Sequence, residues 1–381
     1  MRRPDQQTTT RPTTDTAPGT TGDAPPAEAT GTGTRRPANV TGAARPPDAV
    51  AASRSAGDLT TETALAPYLR AQAAAFLRSL RLHHEHSAPA DAGGQDAAAA
   101  TRALRRSARR ISGTLHTFRA ALDPLWADQL RTELTWLSGL LAREHAYANR
   151  LTRLIESLHQ LSGPSLPAAR GARAVGEGGA AGTQGRAALG VGAARAGALL
   201  ERRLTLARTR SHSAALQALG SARFHAVADA VALLASDVPL APGPAAGRTA
   251  EAALLEPADR AEQRLLAAVA ALPPEGTEPY NEAQDAAWHQ ARLLLRLHRY
   301  AHEVVLGAAA PALAGPVHAL DLHRDAVEAA EAAAAAARTP RIAPATAYAL
   351  GVLHADQRHE AEAARAAFRE TWPYATVLSA P

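Results

Sequence analysis

The stretch "WHQARLLLRLHRYAHEVV", residues 288–305, is rich in Leu and contains neither Gly nor Pro, a pattern that predicts a helix. Four basic side chains recur along it at i, i+3, i+7 and i+10, and at roughly 100° per residue they share one sector of about 80°. We call this set the C-terminal stripe: His289, Arg292, Arg296 and Arg299. Apolar residues border the sector on both sides, so the stripe must either line a groove or pair with buried acids.

A second basic stripe lies about 187 residues earlier, in "DAAAATRALRRSARRISGTLHTFRAAL" (residues 96–122). Arg102, Arg105 and Arg109 repeat the i, i+3, i+7 spacing and form the N-terminal stripe, with His116 further along the same face. The repeat predicts two similar helical halves that arose by duplication. A plainly amphipathic helix with a solvated arginine face remains an alternative for this copy.

Composition favours an all-α fold. Hydrophobic residues make up 46% of the 381-residue chain and aromatic residues only 4%, so the core must be built from Ala and Leu, which are strong helix formers. No alternating β-branched segment argues for strands. All 41 basic residues are arginine, and the net charge of +5 favours an anionic partner. The chain has no Cys, which excludes disulfides and thiolate chemistry.

The pattern along the chain predicts a tail followed by one helical domain. Residues 1–57 are rich in Thr, Pro, Ala and Gly, which predicts disorder, and helical pattern occupies residues 58–380. Within that domain we expect a first bundle over 58–165, a Gly-rich linker over about 166–192 and the remaining helices over 193–380. No signal peptide or membrane-spanning run is visible, so we expect a soluble cytoplasmic protein.

Two interpretations of the C-terminal stripe remain open. Each buried guanidinium group without a partner lowers the stability of the fold by roughly several kcal/mol, because the charge loses its hydration. Acids that could compensate them are Glu303 on the same helix and Asp321 and Asp325 on the next one. One interpretation is therefore an internal ion-pair network. The other is a water-filled cationic groove that binds an anion.

The order of several segments resembles that of CHAD domains. These are "ALAPYLRAQAAAFLRSL" (64–80), the run from 100 to 141, "SARFHAVADAVALL" (221–234), the stretch at 288–305, "LHRDAV" (322–327) and "ALGVLHADQRHEAEAARAAFRETW" (349–372). The resemblance covers roughly residues 58–380. It implies two pseudo-symmetric four-helix bundles and binding of inorganic polyphosphate along a basic surface. The triphosphate-hydrolysing domain fused to some relatives is not seen here.

Individual motifs match the family unevenly. The family's His-x-x-Arg-x-x-x-Arg-Arg-x-Arg helix has Arg102 at its His position and Ser112 at its last Arg. The family's Arg-Asp-x-Asp segment is here His145-Ala146-Tyr147-Ala148, so both acids are missing. Loss of acids with retention of cations makes the groove more positive, or marks a member that has lost its ligand.

The stripes and the resemblance together give the predicted polyphosphate-binding residues. The resemblance adds Arg223 and His323, and a basic sector of the last helix adds three more residues. The full set is Arg102, Arg105, Arg109, His116, Arg223, His289, Arg292, Arg296, Arg299, His323, His354, Arg358 and Arg365.

We therefore expect a non-enzymatic polyphosphate-binding protein, with no metal and no cofactor. The His clusters at 83–86 and 298–302 lack the spacing of a metal site, and no nucleophile motif stands out. The alternatives are a protein that binds the nucleic-acid backbone and a degenerate scaffold that acts in protein interaction. We expect a monomer or weak dimer, with association with polyphosphate granules as an option.

Overall fold

A computed structural model describes residues 60–86, 94–162, 179–241, 251–274 and 282–374. The predicted disordered tail and the first part of the predicted linker lie outside these ranges. The described residues form nine α-helices and no strand, apart from an isolated bridge between Leu122 and Leu240, which confirms the all-α prediction. The helices are α1 (Ala66–His86), α2 (Gly94–Thr117), α3 (Pro124–Ser162), α4 (Gly179–Leu219), α5 (Ala222–Ser236), α6 (Glu256–Ala270), α7 (Asp285–Leu306), α8 (Ala314–Ala337) and α9 (Pro344–Thr371).

Local sequence signals explain where helices begin. The carboxylate of Asp123 accepts hydrogen bonds from the backbone N–H groups of Leu125 and Trp126 at 3.0 and 2.9 Å, and Pro124 occupies the first position of α3. The hydroxyl of Ser221 likewise accepts from the backbone N–H of Phe224 at 3.2 Å and caps α5. Both caps satisfy donors that the first helical turn leaves without partners.

Three hydrophobic cores hold the helices together. The first joins α1, α2 and α5 to the N-terminal half of α3, the end of α4 and parts of α6 and α7. The second lies between the C-terminal half of α3, the middle of α4, α8 and α9, and the third joins α6 and α7 to the other ends of α8 and α9. Since α3 and α4 each contribute to two cores, the cores do not follow the two halves of the sequence. The predicted pair of pseudo-symmetric bundles stays a prediction.

The predicted Gly-rich linker differs from the structure in its second part, because α4 begins at Gly179. Its Ala content supports a helix despite the glycines, and at least one of these glycines is needed for packing. A Cβ at Gly192 would lie 2.2 Å from the backbone oxygen of Ala345, so only Gly permits α4 to approach the start of α9 so closely.

A close crossing of α2 and α7 positions the two basic stripes. A Cβ built at Gly113 on α2 would lie 2.7 Å from Cδ2 of Tyr300 on α7, and Tyr300 is itself buried. The small residue therefore lets the two helices approach where both carry arginines. By length and composition no single described helix could span a bilayer; Gly190–Leu219 and Ala222–Ser236 satisfy that criterion only as a pair bent by 62°.

Candidate anion-binding trough

The two stripes meet at the crossing of α2 and α7. Arg109 from the N-terminal stripe and Arg296 from the C-terminal stripe line the same two adjoining cavities, of about 410 and 190 Å³. His116 and Arg131 lie in the larger cavity, and Arg292 lies in the smaller one. We call these two cavities together the α2–α7 trough. The structure thus brings together stripes that lie 187 positions apart in the sequence.

Apart from the exposed Arg106, three arginines at or beside the trough have no carboxylate partner among the described residues. They are Arg105, Arg109 and Arg296, each only partly exposed. Burial and, to a smaller extent, the nearby charge of Arg105 together lower the pKa of Arg109 to about 10. The pKa of Arg296 is lowered in the same way, first by burial and then by the charge of Arg109. Mutual repulsion and desolvation therefore act on the same few guanidinium groups.

Polar atoms in the trough also lack partners. The Nε–H groups of Arg109 and Arg131 are buried and have no hydrogen-bond acceptor within the described part of the chain. Buried donors are normally satisfied, by protein or by another molecule. These two atoms therefore point to an acceptor that binds from outside, as a phosphate oxygen would.

The other half of the C-terminal stripe follows the ion-pair interpretation. Arg292 is buried, and its Nη2 lies 2.6 Å from the carboxylate of Asp321 on α8. Arg299 lies 3.4 Å from Glu303, whose carboxylate also accepts from Arg110 at 3.0 Å and from the Tyr68 hydroxyl at 2.9 Å. The ion-pair interpretation therefore holds for Arg292 and Arg299, whereas Arg296 has no carboxylate partner among the described residues.

A third row of cations continues from the trough and was missed in the sequence. Arg143, Arg150 and Arg153 on α3 line a cavity of about 380 Å³, together with Arg105 and Arg324. The i, i+7, i+10 spacing of the α3 row was visible in the sequence, but no second copy drew attention to it. These side chains are partly compensated, since Arg150 pairs with Glu328 and Arg324 pairs with Asp325.

Three histidines lie near these arginines and have lowered pKa values. Burial lowers the pKa of His116, and the charge of Arg131 lowers it further. Burial likewise lowers the pKa of His289, with Arg292 and Arg296 adding to the effect. His145 stands where the sequence departs from the family motif. It lines the cavity of about 380 Å³ beside α3, called the α3-side cavity below. Burial lowers its pKa, and the charges of Arg102 and Arg105 add to the effect.

Three predicted binding residues belong instead to a buried network and are corrected here. His323, Arg358 and Arg365 are almost completely buried. Arg358 Nη1 and Arg365 Nη2 lie 2.6 and 2.5 Å from the carboxylate of Asp285, and Arg365 Nε donates to His323 Nε2 at 3.1 Å. Arg358 and Arg365 do share one face of α9, but that face packs inward, where both guanidinium groups contact the single carboxylate of Asp285.

The remaining predicted residues lie away from the trough. Arg223 forms a two-point ion pair with Glu133 at 2.6 and 3.1 Å and covers the ring of Trp136 at 4.0 Å. His354 donates from Nδ1 to the backbone oxygen of Ala330 at 3.1 Å. Arg102 lines a different cavity, between α1, α2, α3 and α4.

Within the described residues no group of three or more His, Asp or Glu side chains is arranged to hold a metal ion. What the α2–α7 trough can do chemically is offer several forked guanidinium donors, at close range, to an anion with many oxygens.

Comparisons with known proteins agree with this description. A sequence model of the family described as CHAD domain matches residues 71–321. Among solved structures, PptA from Streptomyces chartreusis is 56% identical, with a TM-score of 0.65 over 81% of this chain and 97% of that chain. The search of curated proteins found no match.

Proposed function

Because this chain belongs to the CHAD domain family, we propose that it binds inorganic polyphosphate in the α2–α7 trough without catalysing a reaction. One observation carries the proposal. Arg109 and Arg296 come from helices far apart in the sequence, share two cavities, and have no carboxylate partner in the described part of the chain.

Polyphosphate fits this arrangement for electrostatic reasons. It carries about one negative charge per phosphate unit, so a row of arginines meets a charge at each step without reading a base or a side chain. Each guanidinium can donate two parallel hydrogen bonds to phosphate oxygens. In the free protein, burial and then the charges of neighbouring arginines lower the pKa values of Arg105, Arg109 and Arg296. A bound polyanion offsets the repulsion between these three guanidinium groups.

The proposal stops at binding, because guanidinium groups hold phosphate but supply no nucleophile. We further propose that the protein acts as a monomer or weak dimer in the cytoplasm, at sites where polyphosphate is stored. Binding through the nucleic-acid backbone is the competing interpretation. It is disfavoured by the lining of the trough, which contains no Trp or Phe and whose one Tyr, Tyr300, is buried, since single strands are usually held by stacking on exposed rings.

A competition between polyanions tests the proposal. Long-chain polyphosphate, orthophosphate and single-stranded DNA are titrated into the protein at several salt concentrations. We compare the wild type with Arg296→Ala and with Arg202→Ala, which removes an exposed arginine of α4 that lies outside the trough. If Arg296 neutralises one phosphate, its removal lowers the slope of log K against log salt by about 0.7 and weakens polyphosphate binding by about tenfold.

The control separates a local effect from a general one. Arg202→Ala should leave both the slope and the affinity close to wild type, although it removes the same formal charge. Equal affinity for DNA of matched charge would favour the nucleic-acid interpretation. Absence of salt-sensitive binding to either polymer would leave the protein as a scaffold.

A further inference from the structure

A further cavity, of about 420 Å³, has a more apolar lining than the trough. It is formed by the end of α1, the first turns of α2, the middle of α3 and the last turns of α4. One wall is apolar and consists of Leu141, Ala148, Ala215, Leu216 and Leu219. Leu216 is 48% exposed, so apolar surface remains open to solvent inside a concave site.

Basic residues also line this cavity. Arg102 and Arg105 of α2 line it, and neither has an ion-pair partner among the described residues. The only carboxylate in the lining is Glu144, which already contacts His212 at 2.9 Å and Arg208 at 3.7 Å. Two cations without partners therefore line the same space of ligand size as a group of apolar side chains.

This division suits a molecule with two unlike ends. A linear polyphosphate is charged along its whole length and gains nothing from an apolar wall, whereas a phosphate group on a planar or apolar body gains from both sides. The paired Glu144 and the imidazoles of His145 and His212 can further exchange hydrogen bonds with polar edges of that body.

We propose that this cavity binds a phosphate monoester with a planar or apolar organic body, holding the phosphate with Arg102 and Arg105. The site is distinct from the trough, because its lining contains neither Arg109 nor Arg296. Arg105 also lines the α3-side cavity, so a bound monoester takes up one of the cations that we place beside the polyphosphate site. The inference does not rest on polyphosphate binding and is tested separately from it.

Adenosine monophosphate serves as the probe, in calorimetric titration of the full chain. We expect saturable one-to-one binding, with adenosine and orthophosphate each weaker by at least about tenfold, since each lacks one of the two contributions. Arg102→Ala, on the exposed side of α2, should weaken binding of the monophosphate by about tenfold. Ala148→Phe should abolish it by filling the space, with circular dichroism to show that the helices are retained.

Two control variants locate the bound probe. Arg296→Ala and Arg106→Ala change arginines of the trough and should leave the affinity for adenosine monophosphate unchanged. The proposal is overturned if orthophosphate binds as tightly as the monoester, or if the monoester does not bind. It is equally overturned if Arg296→Ala abolishes binding while Ala148→Phe does not, since the phosphate then sits in the trough.

Discussion

Replacing Arg109 by Met should make the protein more stable and at the same time a weaker polyphosphate binder. Arg109 is buried for most of its length, has no carboxylate partner in the described part of the chain, and has a buried Nε without an acceptor. Met keeps an unbranched chain of similar length that can pack against the same neighbours. The substitution therefore removes a charge that destabilises the folded state of the free protein.

The size of that cost follows from the pKa. Burial and the neighbouring Arg105 lower the pKa of Arg109 from 12.5 to about 10, and at ~1.4 kcal/mol for each pKa unit the charge costs about 3.5 kcal/mol. Part of this is lost to solvent screening at the open side of the trough. We expect Arg109→Met to raise the free energy of unfolding by about 1–2 kcal/mol.

The neighbouring Arg110 provides a matched control with the opposite sign. Arg110 pairs with Glu303 at 3.0 Å, and the side chain of Glu303 is only 8% exposed. Arg110→Met leaves that carboxylate with the Tyr68 hydroxyl and a more distant Arg299, so it should lower the free energy of unfolding by about 3 kcal/mol. The same substitution at two adjacent positions of α2 thus separates uncompensated from compensated charge.

Both quantities can be measured on the same samples. Urea unfolding gives the free energy, and a titration with long-chain polyphosphate at fixed salt gives the affinity, which Arg109→Met should reduce by about tenfold. If Arg109→Met proves as destabilising as Arg110→Met, the guanidinium has a partner that stabilises it, and the reasoning fails. Unchanged polyphosphate affinity would place the ligand elsewhere.

Three further results are expected. Burial raises the pKa of the Asp285 carboxyl, but contacts with His323 and the arginines of α9 outweigh burial and lower this pKa to about 2. The stability that this carboxylate contributes above about pH 4 is therefore lost as the pH falls towards 2. In urea titrations, Asp285→Asn should reduce this acid dependence and lower the free energy of unfolding by about 3 kcal/mol at neutral pH. Since the pKa of His289 is lowered, the free protein holds it neutral near pH 7, and a bound polyanion favours its charged form; polyphosphate affinity should therefore rise as the pH falls from 7.5 to 5.5, by less in His289→Gln. Gly113→Ala should lower the melting temperature by several degrees, on the order of 1–2 kcal/mol, because its Cβ meets the Tyr300 ring.

The fold could be predicted from local signals. Helical period, the Asp123–Pro124 start of α3 and the absence of strand patterns were sufficient for the all-α architecture. The start of α4 could not be placed, because a high Gly content is typical of linkers and the sequence does not show which glycines are packed. Gly192 is required by the backbone of Ala345, a residue more than 150 positions away.

The candidate site was predictable in its periodicity but not in its charge balance. Spacing placed Arg292 and Arg296 on one face of a helix, yet Asp321 compensates the first and leaves the second without a carboxylate. The same limit explains the buried Arg358, whose partner Asp285 precedes it by 73 positions. A helical wheel shows which residues share a face. It does not show what that face meets.

The buried network around Asp285 helps to position the arginines of the trough. Asp285, at the first turn of α7, is held by two arginines of α9 and lies 3.5 Å from His323 of α8, so the network fixes the end of the helix that carries the C-terminal stripe. A buried, hydrogen-bonded cluster of this kind resists displacement, because separating its members leaves buried charges without any partner. Repulsion between Arg296 on α7 and Arg109 on α2 favours separation of these two side chains. The fold can therefore keep Arg296 beside Arg109 before any anion arrives, and the energy stored in that proximity is released when a polyanion binds.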